Sequence, residues 1–480
     1  MYINQKHLAS LEWVMLEIKL PREITKSPLA TEVALASLLQ GGGISHKYAR
    51  FFKGGLPAYS SLEIASTEGV IHFYIRIQKK FRPLVEANFY AQYPTIEIVE
   101  ADDYTKEIKY HHHTKDVSMW GANYRTSKTW IPTNKDIGQP YGTKDKPYTM
   151  KADFLPIKTY VDYGLDKDPK EEFKIDPLTP LLEMMGGIGK GEHMWYQILV
   201  QDESVYNDKK MPKFYVNTKS HEHISLSDMA QARKKQIRTG GFIKKGDIVY
   251  NEYGEPKKKK IGKDADGNDI EVDQTYIYPD PLDTTVTIKP VGKKEMDLTQ
   301  DEKDEMEGIN KKLSKPLALV VMRFLYITKK EAFKPAHIND VLSLPKPFNG
   351  INSFAPSATE PYDYPWQDLG KKRTAWRTEE KFEEYIEREG FFPHIPERKG
   401  LQQSEDMFFW SYTMKQRKLF RMIYEAIFYP FDHPSAEGEA FTLNLEELAT
   451  LWHLPGAVAA TPTLPRIDSN KGVAPVNLPI

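Results

Sequence analysis

The chain has 480 residues, room for about three ordinary domains or two with large insertions. Its formal net charge of −1 provides no overall attraction to nucleic acid or anionic lipid, so any such contact must come from a local patch. Cysteine is absent, which excludes disulfides, thiolate zinc sites and cysteine nucleophiles and suits a reducing cytoplasm.

Met1 to Ser10 lacks the basic-then-apolar order of a signal peptide, and no uncharged apolar run approaches the roughly 18 to 20 residues of a membrane span. A soluble, cytoplasmic protein is expected, peripheral at a membrane at most. The first strand is predicted within Leu11 to Leu20, where Val14, Leu16, Ile18 and Leu20 share one face. Ser27 and Pro28 start a helix whose apolar stripe is Leu29, Val33, Leu38 and Leu39. Ser61 to Ser66 and Val70 to Ile77 form a hairpin about Glu68-Gly69. Phe81, Leu84, Val85 and Phe89 have helical spacing, and Ile96 and Ile98 begin a further strand. Strand, helix, strand, strand, helix, strand is the split βαβ order of a ferredoxin-like sandwich, assigned to 11–104.

From 105 to 151 the pattern weakens into a loop or hairpin extension. A second split βαβ module is expected over 152–203 and 315–348, opening with a strand at Phe154 to Tyr160 and containing the almost continuous apolar run Leu317 to Ile327, which reads as a strand covered on both faces. The helix Ala336 to Leu342 lies behind it. Residues 204–314 are an insertion, with a basic helix at Met229 to Arg238, a hairpin around Asp264 to Asp269 and a charged helix opened by a Thr299/Glu302 capping box. An aromatic, Pro-rich loop at Asn349 to Lys372 and helices at Thr378 to Glu389, Met407 to Phe428 and Asn444 to Leu454, the last opened by reciprocal capping of Asn444 and Glu447, fill 349–455. A Pro-rich tail occupies 456–480. The fold class is therefore α+β: two ferredoxin-like sandwiches, a large insertion and a carboxy-terminal helical, Pro-rich region.

Chemistry is sparse. Gly186, Gly187, Gly189, Lys190 and Gly191 resemble a phosphate loop, but the order is helix then strand, Met184 stands where the first glycine belongs and Gly191 where the hydroxyl belongs. A helix-to-strand turn is expected, insensitive to Lys190 and disturbed by bulk at Gly186 or Gly187. Adjacent His111, His112 and His113 alternate faces and do not converge on one ion. Asp264 to Asp269 lacks calcium-loop spacing, since Gly267 comes too early and Thr275 holds the twelfth position. Lys257 to Lys260 reads as a solvated hairpin arm. His221 and His223, flanking Glu222, share a strand face and are the best metal candidate, without an evident third ligand. Arg233, Lys234, Lys235 and Arg238 are the candidate nucleic-acid contact, which would be salt-dependent and sequence-blind; the alternative is a solvated helix face. No catalytic residue, metal or cofactor is assigned.

Several phrases combine into a resemblance: Leu16 to Glu23, Ser61 to Ala65, Ile71 to Arg76, Ala91 to Pro94, Asp102 to Tyr104, Leu155 to Tyr160, Asp176 to Leu178, Gly191-Glu192 and Glu446 to Pro455. In that order they resemble the amino-terminal, non-motor region of bacterial type IV secretion and conjugation ATPases of the hexameric DNA-translocase type. The resemblance covers most of Leu11 to Pro479 and is least clear over 105–151 and 207–315. In that family the Glu-Glu-Leu-Ala-Thr-Leu helix and a Pro-rich segment lead into the Walker-bearing motor. Ile480 falls where that motor begins, so no residue of a family ATPase site carries over. The resemblance implies a non-enzymatic assembly module of a DNA or protein transfer machine. Its implied partners are a hexameric motor, inner-membrane components and further copies of itself. Alternatives are a structural subunit of a particle or filament, and a metal-dependent enzyme.

Overall fold

The computed structural model describes residues 10–21, 24, 26–39, 57–111, 114, 116–130, 150–167, 175–207, 223–239, 298–358, 372–391, 440–456 and 464–467. It also describes short strand pairs at 142–143 and 146–147, 215–216, 243–245, 248–250, 259–263, 269–272 and 288–290. The architecture is mixed α and β around one ten-stranded sheet.

The first module consists of β1 (Trp13–Pro21), α1 (Pro28–Leu35), β2 (Tyr59–Thr67), β3 (Val70–Gln78), α2 (Arg82–Gln92) and β4 (Glu97–Ala101). Its strands lie in the order β4-β1-β3-β2, all antiparallel, which is the split βαβ arrangement. The second module repeats it with β5 (Val117–Thr126), α3 (Thr179–Gly186), β6 (Glu192–Asp202), β7 (Leu317–Lys329), α6 (Ala336–Ser343) and β8 (Phe354–Ala358), ordered β8-β5-β7-β6. The two halves are not separate sheets. Their second strands pair antiparallel from Tyr59 opposite Gln201 to Thr67 opposite His193, so the order runs through both modules about an approximate two-fold relation.

Period-two alternation explains the layers. Val14, Leu16, Ile18 and Leu20 of β1, with Met194, Tyr196, Ile198 and Val200 of β6, enter one large core with Ala34, Phe89, Leu182 and Val341 of α1, α2, α3 and α6. On the opposite face Met15, Trp195, Leu325 and Ile327 meet Phe382 and Tyr385 of α7 (Lys372–Glu387). Strand β7 is apolar on both faces because both are covered, which is what its unbroken sequence run anticipates. The insertion contributes α4 (Leu226–Thr239) and α5 (Gln300–Leu313), packed around Leu226, Met229 and Ile309 with Trp130 and Phe154 from the body. β9 (Phe441–Asn444) pairs with Leu317 to Val320, α8 (Leu445–Leu451) follows it directly, and β10 (Arg466–Ile467) adds two parallel residues at Leu20 and Pro21. Among the described residues no helix is long and apolar enough to cross a membrane.

The structure departs from the sequence expectation at definite places. Phe154 to Tyr160 is not a strand: its apolar residues are shared between two cores, and its N–H groups are taken by Glu447, Phe348, Asp162 and Thr450. The opening strand of the second module is Val117–Thr126, inside the supposed extension; it is interior, with buried Asn123 and Thr126 masking any alternation. Its closing strand, Phe354–Ala358, carries Pro356, which is tolerated because this strand is at the sheet edge. In α1, Leu29 and Val33 point outwards, while Ala30, Ala34 and Leu35 face the core. The predicted helix at Met407 to Phe428 lies outside the described residues.

Candidate functional site

Helix α8 is buried along its whole length. Its capping box is complete: the Asn444 side chain accepts from the Glu447 N–H and Glu447 Oε2 from the Asn444 N–H, each at 2.8 Å. Glu447 also binds beyond its own helix. Its Oε1 accepts the Ile157 N–H at 2.9 Å, and its carboxylate pairs with Lys312 Nζ at 3.2 Å, both side chains being wholly buried. Lys312 also reaches the Leu155 carbonyl. Burial pushes the Glu447 carboxyl up, opposed by Lys312 and the two backbone N–H groups.

One residue earlier, Glu446 faces a wider cluster. Lys315 Nζ lies 2.9 Å and Lys311 Nζ 3.0 Å from it, and the Thr159 hydroxyl donates to it. Burial acts to raise Glu446, but these three donors together hold it below the usual carboxylate range. Lys315 bridges onward to Glu32 of α1 at 2.6 Å, Tyr160 donates to the same Glu32 at 2.6 Å, and Lys311 reaches Asp162 at 3.3 Å. Four segments, α1, α5, the 155–162 loop and α8, are thus clasped by three lysines and four carboxylates. A cleft of about 430 Å³ opens beside this clasp, between Ala36, Leu39, Asp202, Lys315 and Leu445.

The other end of α8 is held by His453, whose Nε2 is 3.1 Å from Asp176 Oδ2 while Nδ1 meets the Ala449 carbonyl at 2.9 Å. Asp176 does not cap α3, which starts after Leu178; it accepts the Leu178 N–H and faces His453. Burial acts to lower His453 and to raise Asp176, and their mutual attraction reverses both, giving a raised histidine and a depressed aspartate. The histidine's stability is full below its unfolded value of about 6.5 and lost as pH rises through its folded one. That of Asp176 is present above about 3.9 and lost as pH falls. Thermal melts should therefore show a higher midpoint at pH 6 than at pH 8.5, and Asp176→Asn should flatten this difference; equal pH dependence in both proteins would refute the assignment.

The glycine-rich stretch is the expected turn between α3 and β6. Gly189 N–H donates to Glu192 Oε2 at 2.7 Å and Gly191 N–H to Glu68 Oε1 at 2.9 Å, so these backbone donors already hold the protein's own carboxylates. Lys190 is exposed. The left-handed position is Gly191, at φ +78, whereas Gly187 lies at φ −84. Glu192 is buried against Tyr326 and Lys334, whose ammonium lies 2.8 Å away.

Of the candidate nucleic-acid contacts, Arg233 is bidentate to Glu305 of α5 and Lys234 bonds Asn310; Lys235 and Arg238 are exposed. Two of the four cations therefore fasten α4 to α5. His221 and Glu222 lie outside the described residues, and His223 opens a two-residue strand. His111 meets Glu379 at 3.3 Å, while His112 and His113 lie outside the described residues. Among the described residues no three His, Asp or Glu side chains cluster to hold a metal. Lys259 and Lys260 begin a strand paired with Asp269–Val272, as the hairpin reading requires; Lys257, Lys258 and 264–268 lie outside the described residues.

Sequence reasoning missed the clasp lysines. The one signal was spacing: Lys312 is three residues after Ile309, on the apolar stripe of α5. Fold and clasp define a tandem split βαβ protein whose last described helix is fastened by buried ion pairs. The chain matches no family model, no curated protein and no solved structure.

Proposed function

We propose that this chain is a non-catalytic assembly module of a type IV secretion-like machine that transfers DNA or protein, acting with a hexameric ATPase motor, cytoplasmic and peripheral at the inner membrane. The observation that carries the reading is the clasp on α8. The Glu446 to Pro455 stretch carries one of the more extended resemblances to the conjugation ATPases, and here it is fastened to both modules, so displacement of α8 would be transmitted to the whole sheet. Other phrases of the resemblance fall on β1, β2, β3 and the end of α2, the framework that positions the clasp. The carboxylates occupying the Gly189 and Gly191 N–H groups support assigning energy supply to a partner.

Crosslinked capture of the tagged chain from its own cells is expected to recover a Walker-bearing ATPase with inner-membrane proteins, and purified chain should turn over ATP no faster than its Lys190→Ala variant. ATP hydrolysis abolished by Lys190→Ala would overturn the reading. So would recovery of the chain as extended polymers without an ATPase.

A further inference from the structure

We propose that α7 is a strap that lifts off the sheet as a unit while the two modules stay folded, baring the face it covers at their seam; this does not depend on the assembly reading above. Strand register lays a polar row straight across that face. Glu17 of β1 stands opposite Tyr74 of β3, Tyr74 opposite Glu63 of β2, Glu63 opposite Gln197 of β6, Gln197 opposite Arg323 of β7, and Arg323 opposite Asn123 of β5. The pair Glu63 and Gln197 lies on the seam itself, since β2 belongs to the first module and β6 to the second.

This row receives the last turn of α7. Gln197 Nε2 donates to the Tyr385 carbonyl at 3.1 Å and Arg323 Nη1 to the Glu384 carbonyl at 2.8 Å, so carbonyls that a helix end leaves without intrahelical partners are taken by the sheet. Arg388, one residue past the helix, grips Glu63 and Asp103. Water can replace each of these side-chain bonds when the helix leaves. Among the described residues of α7 the buried apolar side chains are Phe382 and Tyr385, whereas α1, α2, α3 and α6 share the large apolar core of the other face. Lifting α7 therefore exchanges polar contacts for water and exposes little apolar surface.

The seated strap also carries costs that lifting removes. Arg388 is held at φ 54, in the left-handed region. Gln197 Oε1 and Trp195 Nε1 are buried without a hydrogen-bond partner, and Trp195 packs against Tyr385 with ring centroids 5.6 Å apart. A buried polar atom left unpaired opposes the docked state, and water reaches both atoms once the helix rises. Backbone strain and the two unsatisfied atoms thus gather under one helix end, where the docked and lifted states are brought closer in energy.

The chain has no cysteine, so a single introduced one reports the opening. Ala65 is 3% exposed and stands opposite Trp195 in the cluster under α7, while Ala122 is 0% exposed in the core on the other face. In the full chain Ala65→Cys is expected to react with a maleimide at least about ten-fold faster than Ala122→Cys, at a rate barely changed by urea below the unfolding range, because lifting one helix exposes far less surface than unfolding. If Ala65→Cys melts early, Met119→Cys on the same face takes its place. A Cβ at Gly390 would come within 2.9 Å of Val321 Cγ2, so Val321→Cys with Gly390→Cys fastens the end of α7 to β7 when oxidised. Closing that disulfide should slow labelling at position 65, read by peptide mass, at least about ten-fold. Labelling at 65 as slow and as urea-dependent as at 122 overturns the proposal, and so does labelling that is equally fast with the disulfide closed.

Discussion

Lys312→Met is expected to destabilise the protein by ~3–5 kcal/mol, because it leaves the Glu447 carboxylate buried without its cation. The carboxylate would keep the Asn444 and Ile157 N–H groups, but neither neutralises it. Lowering the pH should shrink the deficit, since a carboxyl already pushed up by burial takes a proton more readily once Lys312 is gone. Adding Glu447→Gln should restore most of the loss, as the amide oxygen can still accept one of the backbone N–H groups without carrying charge. Urea denaturation followed by far-UV circular dichroism reads all three proteins. A Lys312→Met variant within about 1 kcal/mol of wild type would show that the pair is replaceable by relaxation or water and does not clasp α8.

The second large effect is expected at Arg388, on the opposite face of the sheet. Its guanidinium meets Glu63 at 3.0 and 3.2 Å and Asp103 at 2.6 and 2.9 Å, bidentate to each, and Glu63 is completely buried in β2. Tyr104 and Gln197 also donate to Glu63, and Tyr104 meets Tyr385 of α7 at 2.9 Å. Burial acts to raise Glu63, but Arg388 with the Ser61 and Tyr104 hydroxyls brings it net below its ordinary value. Arg388 itself stands at φ 54, just past the end of α7, a conformation disfavoured by about 1–2 kcal/mol for a residue with a Cβ. Its ion pairs therefore hold a strained backbone in place.

Arg388→Ala should cost ~3–5 kcal/mol and raise hydrogen exchange throughout α7, the helix it pins over Trp195 and Tyr104. Arg388→Lys should rescue little, since a single ammonium cannot satisfy two carboxylates bidentately. Arg388→Gly should fall between wild type and alanine, because it relieves the backbone strain at φ 54 while losing the same charges. If α7 keeps its protection in Arg388→Ala, the apolar contacts of Phe382 and Tyr385 hold it unaided and the latch is unnecessary.

Much of the fold was legible where periodicity reports burial directly. Alternation in β1 and β3, the unbroken run in β7 and the capping boxes at Thr299 and Asn444 lead to the elements observed, because each is a short-range signal with one dominant cause. The same logic failed for Val117–Thr126 and for Phe154 to Tyr160. The former is a strand whose polar residues are satisfied inside the protein, and the latter an apolar segment whose hydrogen bonds go to side chains rather than to a neighbouring strand.

The candidate site was legible only in part. Glu446, Glu447 and His453 stood in a phrase marked by resemblance and by a cap, but their partners Lys311, Lys312, Lys315, Glu32 and Asp176 come from segments more than a hundred residues away in the chain. Nothing local predicts such pairs. Arg388 has no sequence signature at all, for its role depends on Glu63 and Asp103 arriving beneath it from the first module.

By itself the sequence determined the α+β class, the split βαβ order of the first module, the capping boxes at Thr299 and Asn444 and the turn at Gly186 to Gly191, all set by neighbours within a few residues. Only the tertiary structure decided that the two modules share one sheet through β2 and β6, that two of the basic cations of α4 fasten it to α5, and that α8 is clasped by buried charges. Strand pairing across modules and the burial of a charge are decided by which distant groups desolvate each other, and spacing along the chain carries no record of that.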